Sequence, residues 1–242
     1  MLLEARGVTQ MFGSFRAVAD ADLAVQEGEI IGLIGPNGAG KSTFFNCLAG
    51  DLVPTAGSIR FDGQDVTRSS PETHARLGIG RTFQIPATFA DMTIMDNVMV
   101  GAFLRHAHRK DARDAALETM EFVGLRSIAD QRARGLGTPG RKRLEIARVL
   151  AAGPRLLLLD EALAGLNPVE IQSAIALVRR IHERGITLVI TEHIMEVILS
   201  LTQRLLVFNQ GRTIASGAPE EVIKNPQVIE AYIGRPHKRR NP

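Results

Sequence analysis

Residues 35 to 43 read Gly-Pro-Asn-Gly-Ala-Gly-Lys-Ser-Thr, a spacing of glycines, lysine and hydroxyls that suits a polyphosphate. Gly35, Gly38 and Gly40 let the backbone through Pro36, Asn37 and Ala39 curl until its N–H groups face one point. The helix expected from Lys41 onward turns its positive end toward the same point. Lys41 is then placed to reach the terminal phosphates, Ser42 to offer its hydroxyl to Mg²⁺, and Thr43 to close the motif. A second pattern lies downstream, where four leucines, residues 156–159, run into Asp160 and Glu161. Two carboxylates at the end of a buried strand border the ligand crevice of a parallel sheet. Asp160 suits the cation, directly or through water, and Glu161 suits orienting or deprotonating an attacking water.

Three further side chains fit the same chemistry. His193 follows an apolar run at residues 186–191 and is expected near the γ-phosphate. Gln84, after Arg81-Thr82-Phe83, is expected to bridge Mg²⁺ or water where a helical segment begins. Phe12, before Gly13, offers a ring to stack on adenine, with core packing as the alternative.

The elements that must hold these residues follow from periodicity. Strands are expected over residues 2–8, 21–26, 29–34, 57–61 and 78–83, with a short helix over 71–77. From 86 to 153 strand signals fade, and helices are expected over 97–108, 112–123 and 141–152, the last two stopped by Gly124 and Gly153. After Pro154 the alternation returns: strands over 155–159, 186–191 and 204–208, helices over 169–184 and 193–200. The chain thus reads as α/β, a single domain over 1–242. Its parts are a P-loop core (1–85 and 154–242) with a mostly parallel sheet and a β-rich N-terminal part, and a helical insert (86–153).

The 242 residues are 45% hydrophobic, enough for a substantial core. Lys+Arg number 29 against 26 Asp+Glu, and the net +3 argues against a nucleic-acid partner. The basic tail Lys238-Arg239-Arg240 reads as a solvated end. Cys47 is the single cysteine, which excludes an internal disulfide and a cysteine-based metal cluster. Glu4 and Arg6 interrupt any signal-peptide pattern, and no apolar run reaches the roughly 18 residues of a membrane span. A cytoplasmic protein, soluble by itself, is expected.

Taken together, the segment 35–43, Gln84, Asp160-Glu161, the turn Ala164-Gly165-Leu166-Asn167-Pro168 and His193 resemble the ATP-binding cassette ATPases, the nucleotide-binding subunits of ABC transporters. Several stretches look most like the branched-chain amino acid uptake group: Gly80 to Gln84, Leu144-Glu145-Ile146-Ala147-Arg148, and the ending Asn225 to Gly234. Lipid or lipopolysaccharide exporter cassettes share much of the pattern, and a nucleotide-switch module outside transport is the other alternative. The resemblance implies ATP hydrolysis with Mg²⁺, transmembrane permease partners, a place on the inner face of the membrane, and a second cassette that completes each ATP site.

One segment departs from the family. Where members carry a Leu-Ser-Gly-Gly-Gln signature for the partner's ATP, this chain has Leu136-Gly137-Thr138-Pro139-Gly140. Gly137 has no hydroxyl, Pro139 no N–H and Gly140 no side-chain amide. Thr138 is left as the one hydroxyl. The expectation is a heterodimer with a cassette that brings a sound signature, a homodimer being the alternative. Ala162 also stands where the family usually has proline after the glutamate.

Overall fold

The computed structural model describes residues 1–233, so the basic tail lies outside the described residues. A hairpin of β1 (Leu3–Phe12) and β2 (Phe15–Val25) opens the chain, and the fully buried β3 (Ile30–Ile34) leads through the glycine loop into α1 (Lys41–Ala49). β4 (Ala56–Phe61) and β5 (Gln64–Asp65) follow, then α2 (Pro71–Leu77), whose Ser70 cap accepts from the Thr73 N–H, and β6 (Ile79–Arg81). Next come three helices, α3 (Ile94–Ala102), α4 (Arg109–Val123) and α5 (Thr138–Ala151). The second α/β stretch runs β7 (Leu156–Asp160), α6 (Pro168–Glu183), β8 (Thr187–Thr191), α7 (Met195–Leu201), β9 (Arg204–Asn209). It closes with β10 (Arg212–Gly217), α8 (Pro219–Val222) and α9 (Pro226–Ile233).

Two sheets result. One is antiparallel, in the order β2-β1-β4-β5; the other has the order β10-β9-β3-β8-β7-β6 and is parallel throughout except for its β10–β9 edge. This order sets β3, β8 and β7 side by side and parallel. The glycine loop, His193 and the Asp160-Glu161 pair, which follow those strands, therefore emerge along one rim.

β7 shows how the sheet is buried on both faces. Leu156 and Leu158 pack into a core with Phe44, Phe45 and the antiparallel sheet, while Leu157 and Leu159 pack with Ile94, Val98, Leu144 and Ala147 of the inserted helices. The helical block and one face of the parallel sheet share one continuous core.

Element boundaries differ from expectation where side-chain contacts override local pattern. The first two strands extend well past the expected 2–8 and 21–26. Bulges between Ala5 and Val8, Val8 and Gln10, and Gln10 and Met11 break their alternation. The expected strand 78–83 shrinks to β6, because the Phe83 N–H donates to the Glu145 side chain rather than to a ladder partner. The helix expected at 97–108 begins three residues earlier, where Thr93 caps the Asp96 N–H at 3.0 Å, and stops at Ala102. β5, β10, α8 and α9 have no counterpart in the expected elements.

Candidate functional site

The glycine loop is fixed by close packing. Gly38 and Gly40 have φ values of 77° and 100°, which L side chains avoid. A Cβ on Gly40 would run into the Ala17 carbonyl oxygen, and one on Gly35 into that of Phe208. Inside the loop Lys41 is only 6% exposed, and its Nζ donates to the Gly35 and Pro36 carbonyls at 2.7 and 3.0 Å. Burial pulls the Lys41 ammonium below the usual lysine range, while the charges of Glu161 and Asp160 pull it back up. The N-terminus of α1 has no side-chain cap and no acidic residue in its first turn, so its amides are left for an anion. A pocket of about 270 Å³ opens there, lined by Lys41, Ser42, Thr43, Phe15, Glu161 and His193 among others.

Asp160, at the end of β7, is 5% exposed. Its Oδ1 accepts from the Thr191 hydroxyl at 2.7 Å, its Oδ2 from Arg81 Nη2 at 3.1 Å, and its N–H donates to Thr82 Oγ1 at 3.2 Å. Arg81 also pairs with Asp51 and lies over the Phe83 ring at 4.9 Å.

Glu161 stands at φ 46°, a left-handed conformation that a non-glycine residue holds only when its surroundings enforce it. Here its N–H donates to the Thr191 carbonyl at 3.1 Å, and its carbonyl accepts from Lys142 Nζ at 3.0 Å. The carboxylate is gripped at both oxygens: His193 Nε2 lies 2.7 Å from Oε1, and Gln84 Nε2 donates to Oε2 at 2.6 Å. The structure thus brings Gln84, Glu161 and His193 into contact, beside Asp160 and at the mouth of the glycine-loop pocket.

The oxygen donors Ser42, Asp160 and Gln84 are chemically hard. Among the described residues no three His, Cys, Asp or Glu side chains converge on one point. A magnesium ion held by one carboxylate, a hydroxyl and phosphate oxygens fits that donor set; a dedicated protein cage does not.

Phe12 is the last residue of β1 and pairs across the hairpin turn with Phe15; the two residues are 50% and 65% exposed. Exposure removes the core alternative for Phe12. Phe15, not singled out in the sequence, lines the pocket, whereas Phe12 does not. Asn167 caps α6, accepting from the Val169 and Glu170 N–H groups at 3.0 Å in a capping box.

Gly137, Thr138, Pro139 and Gly140 form the start of α5, away from this pocket. Gly137 is the extended N-cap, without a side-chain cap, and Pro139 lies in the first turn, where a missing N–H costs the helix nothing. Arg141 Nε donates back to the Leu136 carbonyl at 2.9 Å.

Sequence reading passed over Arg81, Thr191, Lys142, Glu145 and Glu192. The signal for the last three was charge inside an apolar pattern: Lys142 and Glu145 lie buried among Leu144, Ile146 and Ala147 on α5, and Glu192 follows the apolar β8. Burial pulls Lys142 down, against the charges of Glu192, Glu145 and Glu161. It pushes the Glu145 and Glu192 carboxyls up, against backbone N–H donors. A separate groove of about 310 Å³ lies between α2, β6, α3 and α5, where Phe83, Val100, Leu104 and Arg148 line it.

Comparison with known proteins bears directly on this geometry. The family model described as ABC transporter matches residues 18–164, across the glycine loop, Gln84 and Asp160-Glu161. The chain belongs to the ABC transporter ATP-binding family. Over the C-terminus, residues 212–238, the cassette also matches a model described as branched-chain amino acid ATP-binding cassette transporter. It is 39% identical to the high-affinity branched-chain amino acid transport ATP-binding protein BraF of Pseudomonas aeruginosa, over 96% of this chain and 98% of that one. It is 37% identical to LivG of Escherichia coli, described in the same words, over the same shares. The crystal structure of a nucleotide-free ATP-binding cassette from an ABC transporter superposes with a TM-score of 0.88 at 29% identity, covering 97% of this chain and 99% of that one. Among the described residues no helix of the cassette is long and apolar enough to cross a membrane.

Proposed function

We propose that this cassette hydrolyses ATP to drive an uptake transporter for branched-chain amino acids. The observation that carries the hydrolytic reading is the Glu161 carboxylate, held between His193 at 2.7 Å and Gln84 at 2.6 Å at the mouth of the glycine-loop pocket. Lys41 and the loop N–H groups between Gly35 and Thr43 hold the phosphates of ATP, and the exposed Phe15 at the pocket wall, with Phe12 paired to it across the hairpin turn, serves the adenine. Glu161 orients the attacking water and takes its proton, while His193 fixes the carboxylate and faces the γ-phosphate. Ser42, Asp160 and Gln84 would hold Mg²⁺, which would supply charge neutralisation at the phosphate oxygens.

The substrate class rests on BraF and LivG at 39% and 37% identity and on the C-terminal match over 212–238. The lipopolysaccharide export alternative has a relative too, LptB of Acidithiobacillus ferridurans, at 32% identity. The helical segment 86–153 and Gln84 form the coupling surface, and the groove beside Phe83 and Leu104 receives a permease segment on the inner face of the membrane. Because Gly137, Pro139 and Gly140 give the partner site few donors, the cassette pairs with a non-identical one, making one fast and one slow site.

Proteoliposomes containing the chain, a second cassette and the permease test this reading. ATP-driven uptake of labelled leucine that stops with Glu161→Gln is expected. Leucine transport without this chain, or turnover of the chain alone equal to that of the pair, overturns the substrate or the asymmetry reading respectively.

A further inference from the structure

The buried charges on α5 serve neither the phosphate pocket nor the signature segment. Lys142 and Glu145 are 6% and 2% exposed and lie one turn apart on the same helix face. Lys142 Nζ donates to the Glu161 carbonyl at 3.0 Å. Glu145 Oε1 accepts from the Phe83 and Ala87 N–H groups, both at 3.2 Å, and these two amides bracket Gln84. Gln84 in turn donates to Glu161 Oε2 at 2.6 Å. One helix face therefore holds the backbone of Glu161 and, three residues on, the loop that carries the amide touching its carboxylate.

Glu192 extends the cluster. It is 3% exposed, precedes His193, and accepts from the Leu163 N–H at 2.7 Å, so the chain on both sides of the Glu161 turn is tied to buried charge. Packed apolar residues would stabilise such a helix face at least as well as buried ions do. Stability alone therefore explains these residues poorly. Among the described residues, the side-chain hydrogen bonds of Lys142 and Glu145 go to the Glu161 carbonyl and to the loop that carries Gln84.

We infer that Lys142 and Glu145 are positioning residues for hydrolysis in this chain's own ATP site, setting the register of Gln84 against Glu161. α5 then serves two sites. Its first residues face the partner's nucleotide, and its next turn holds the hydrolytic glutamate in cis. Replacement of the signature at 137–140 leaves the second task intact, since Lys142 and Glu145 remain. A rotation of α5 reaches Glu161 through both contacts at once, without passing through the phosphate loop.

The inference rests on Glu161 as the water-orienting group, so Glu161→Gln is run beside Lys142→Met, Lys142→Arg and Glu145→Ala in the full chain paired with its second cassette. Steady-state ATP hydrolysis, equilibrium ATP binding and amide hydrogen exchange are measured, with thermal melts to establish folding. Lys142→Met is expected to lower kcat about 10- to 100-fold with KM and ATP affinity within about twofold of the parent. Lys142→Arg keeps the charge and donor and is expected to retain most of kcat. Glu145→Ala is expected to lower kcat and to speed exchange at the Phe83 and Ala87 amides. If Lys142→Met does not fold, Glu145→Ala decides. A kcat within about twofold of the parent, or ATP affinity falling in step with kcat, overturns the inference. Full turnover in Glu161→Gln overturns the underlying reading instead; an inactive Glu161→Gln beside an unimpaired Lys142→Met overturns this inference alone.

Discussion

The glycine loop and the start of α5 are both glycine-containing helix N-termini, the first at the candidate phosphate pocket and the second in the segment proposed to face a partner's nucleotide, and they are held very differently. At Gly35 and Gly40 any Cβ meets a carbonyl oxygen, the φ of Gly40 is 100°, and Lys41 is buried under the loop. At Gly137 the backbone is extended, and an added Cβ meets nothing nearer than the Pro139 ring at 3.9 Å. The first loop is over-determined by its surroundings. At the second, helix α5 starts on Pro139 and an extended N-cap, Arg141 reaches back to the Leu136 carbonyl, and a Cβ on Gly140 would press on the flexible Leu136 side chain at 3.0 Å rather than on backbone, so the sequence there drifts at less cost to the fold. On the proposed pairing, folding enforces the site this chain keeps, while function rather than packing enforces the part it lends.

The strongest way to break that contrast is at the kept site. Glu161→Gln is expected to lower ATP turnover by about 10²-fold or more with ATP still bound, read by single-turnover kinetics and nucleotide binding. Gly40→Ala comes next, because it sets a methyl against the Ala17 carbonyl at a positive φ. A loss of about 1–3 kcal/mol in chemical denaturation, with weakened ATP binding, is expected. The contrast sharpens at the lent site: Gly137→Ser with Pro139→Gly and Gly140→Gln is expected to raise turnover of the two-cassette assembly about tenfold while the melting temperature moves little. If that triple variant changes stability more than turnover, the start of α5 is structural after all.

A smaller effect is expected at Glu29, which joins the P-loop strand to β9. Burial pushes its carboxyl up, but hydrogen bonds from Arg204 and the Gln26 N–H, with the Arg204 charge, leave it below the usual range. A depressed carboxylate contributes stability above its unfolded pKa and loses it as pH falls through the lower folded value. Glu29→Gln is therefore expected to cost about 1–3 kcal/mol near neutrality, with the difference vanishing in acid, read by urea titrations across pH. The smallest effect is at Cys47, 1% exposed with its thiol pushed up by burial to about 11. Slow alkylation of the native protein at pH 8, against rapid reaction once unfolded, is expected.

Sequence reading picked out the candidate reactive groups because their signals are local. Gly35 to Thr43 needs only a strand before it and a helix after it, and Asp160-Glu161 needs only the leucine run ahead of it. The α/β rhythm and the helical block between β6 and β7 were legible for the same reason, since periodicity is read within a dozen residues. Bulges in the first hairpin and the side-chain acceptor that truncates β6 were not, because each depends on a partner elsewhere.

Only the tertiary structure decided how the reactive groups are held. Gln84 reaches Glu161 across 77 residues of sequence, Glu145 reaches the Phe83 amide across 62, and Lys142 reaches the Glu161 carbonyl across 19. A buried lysine or glutamate in a helix carries no mark of its partner in its own neighbourhood. The order β3-β8-β7 and the packing of α5 against the rim make those partners, and contacts of that range exist only once the chain has closed on itself.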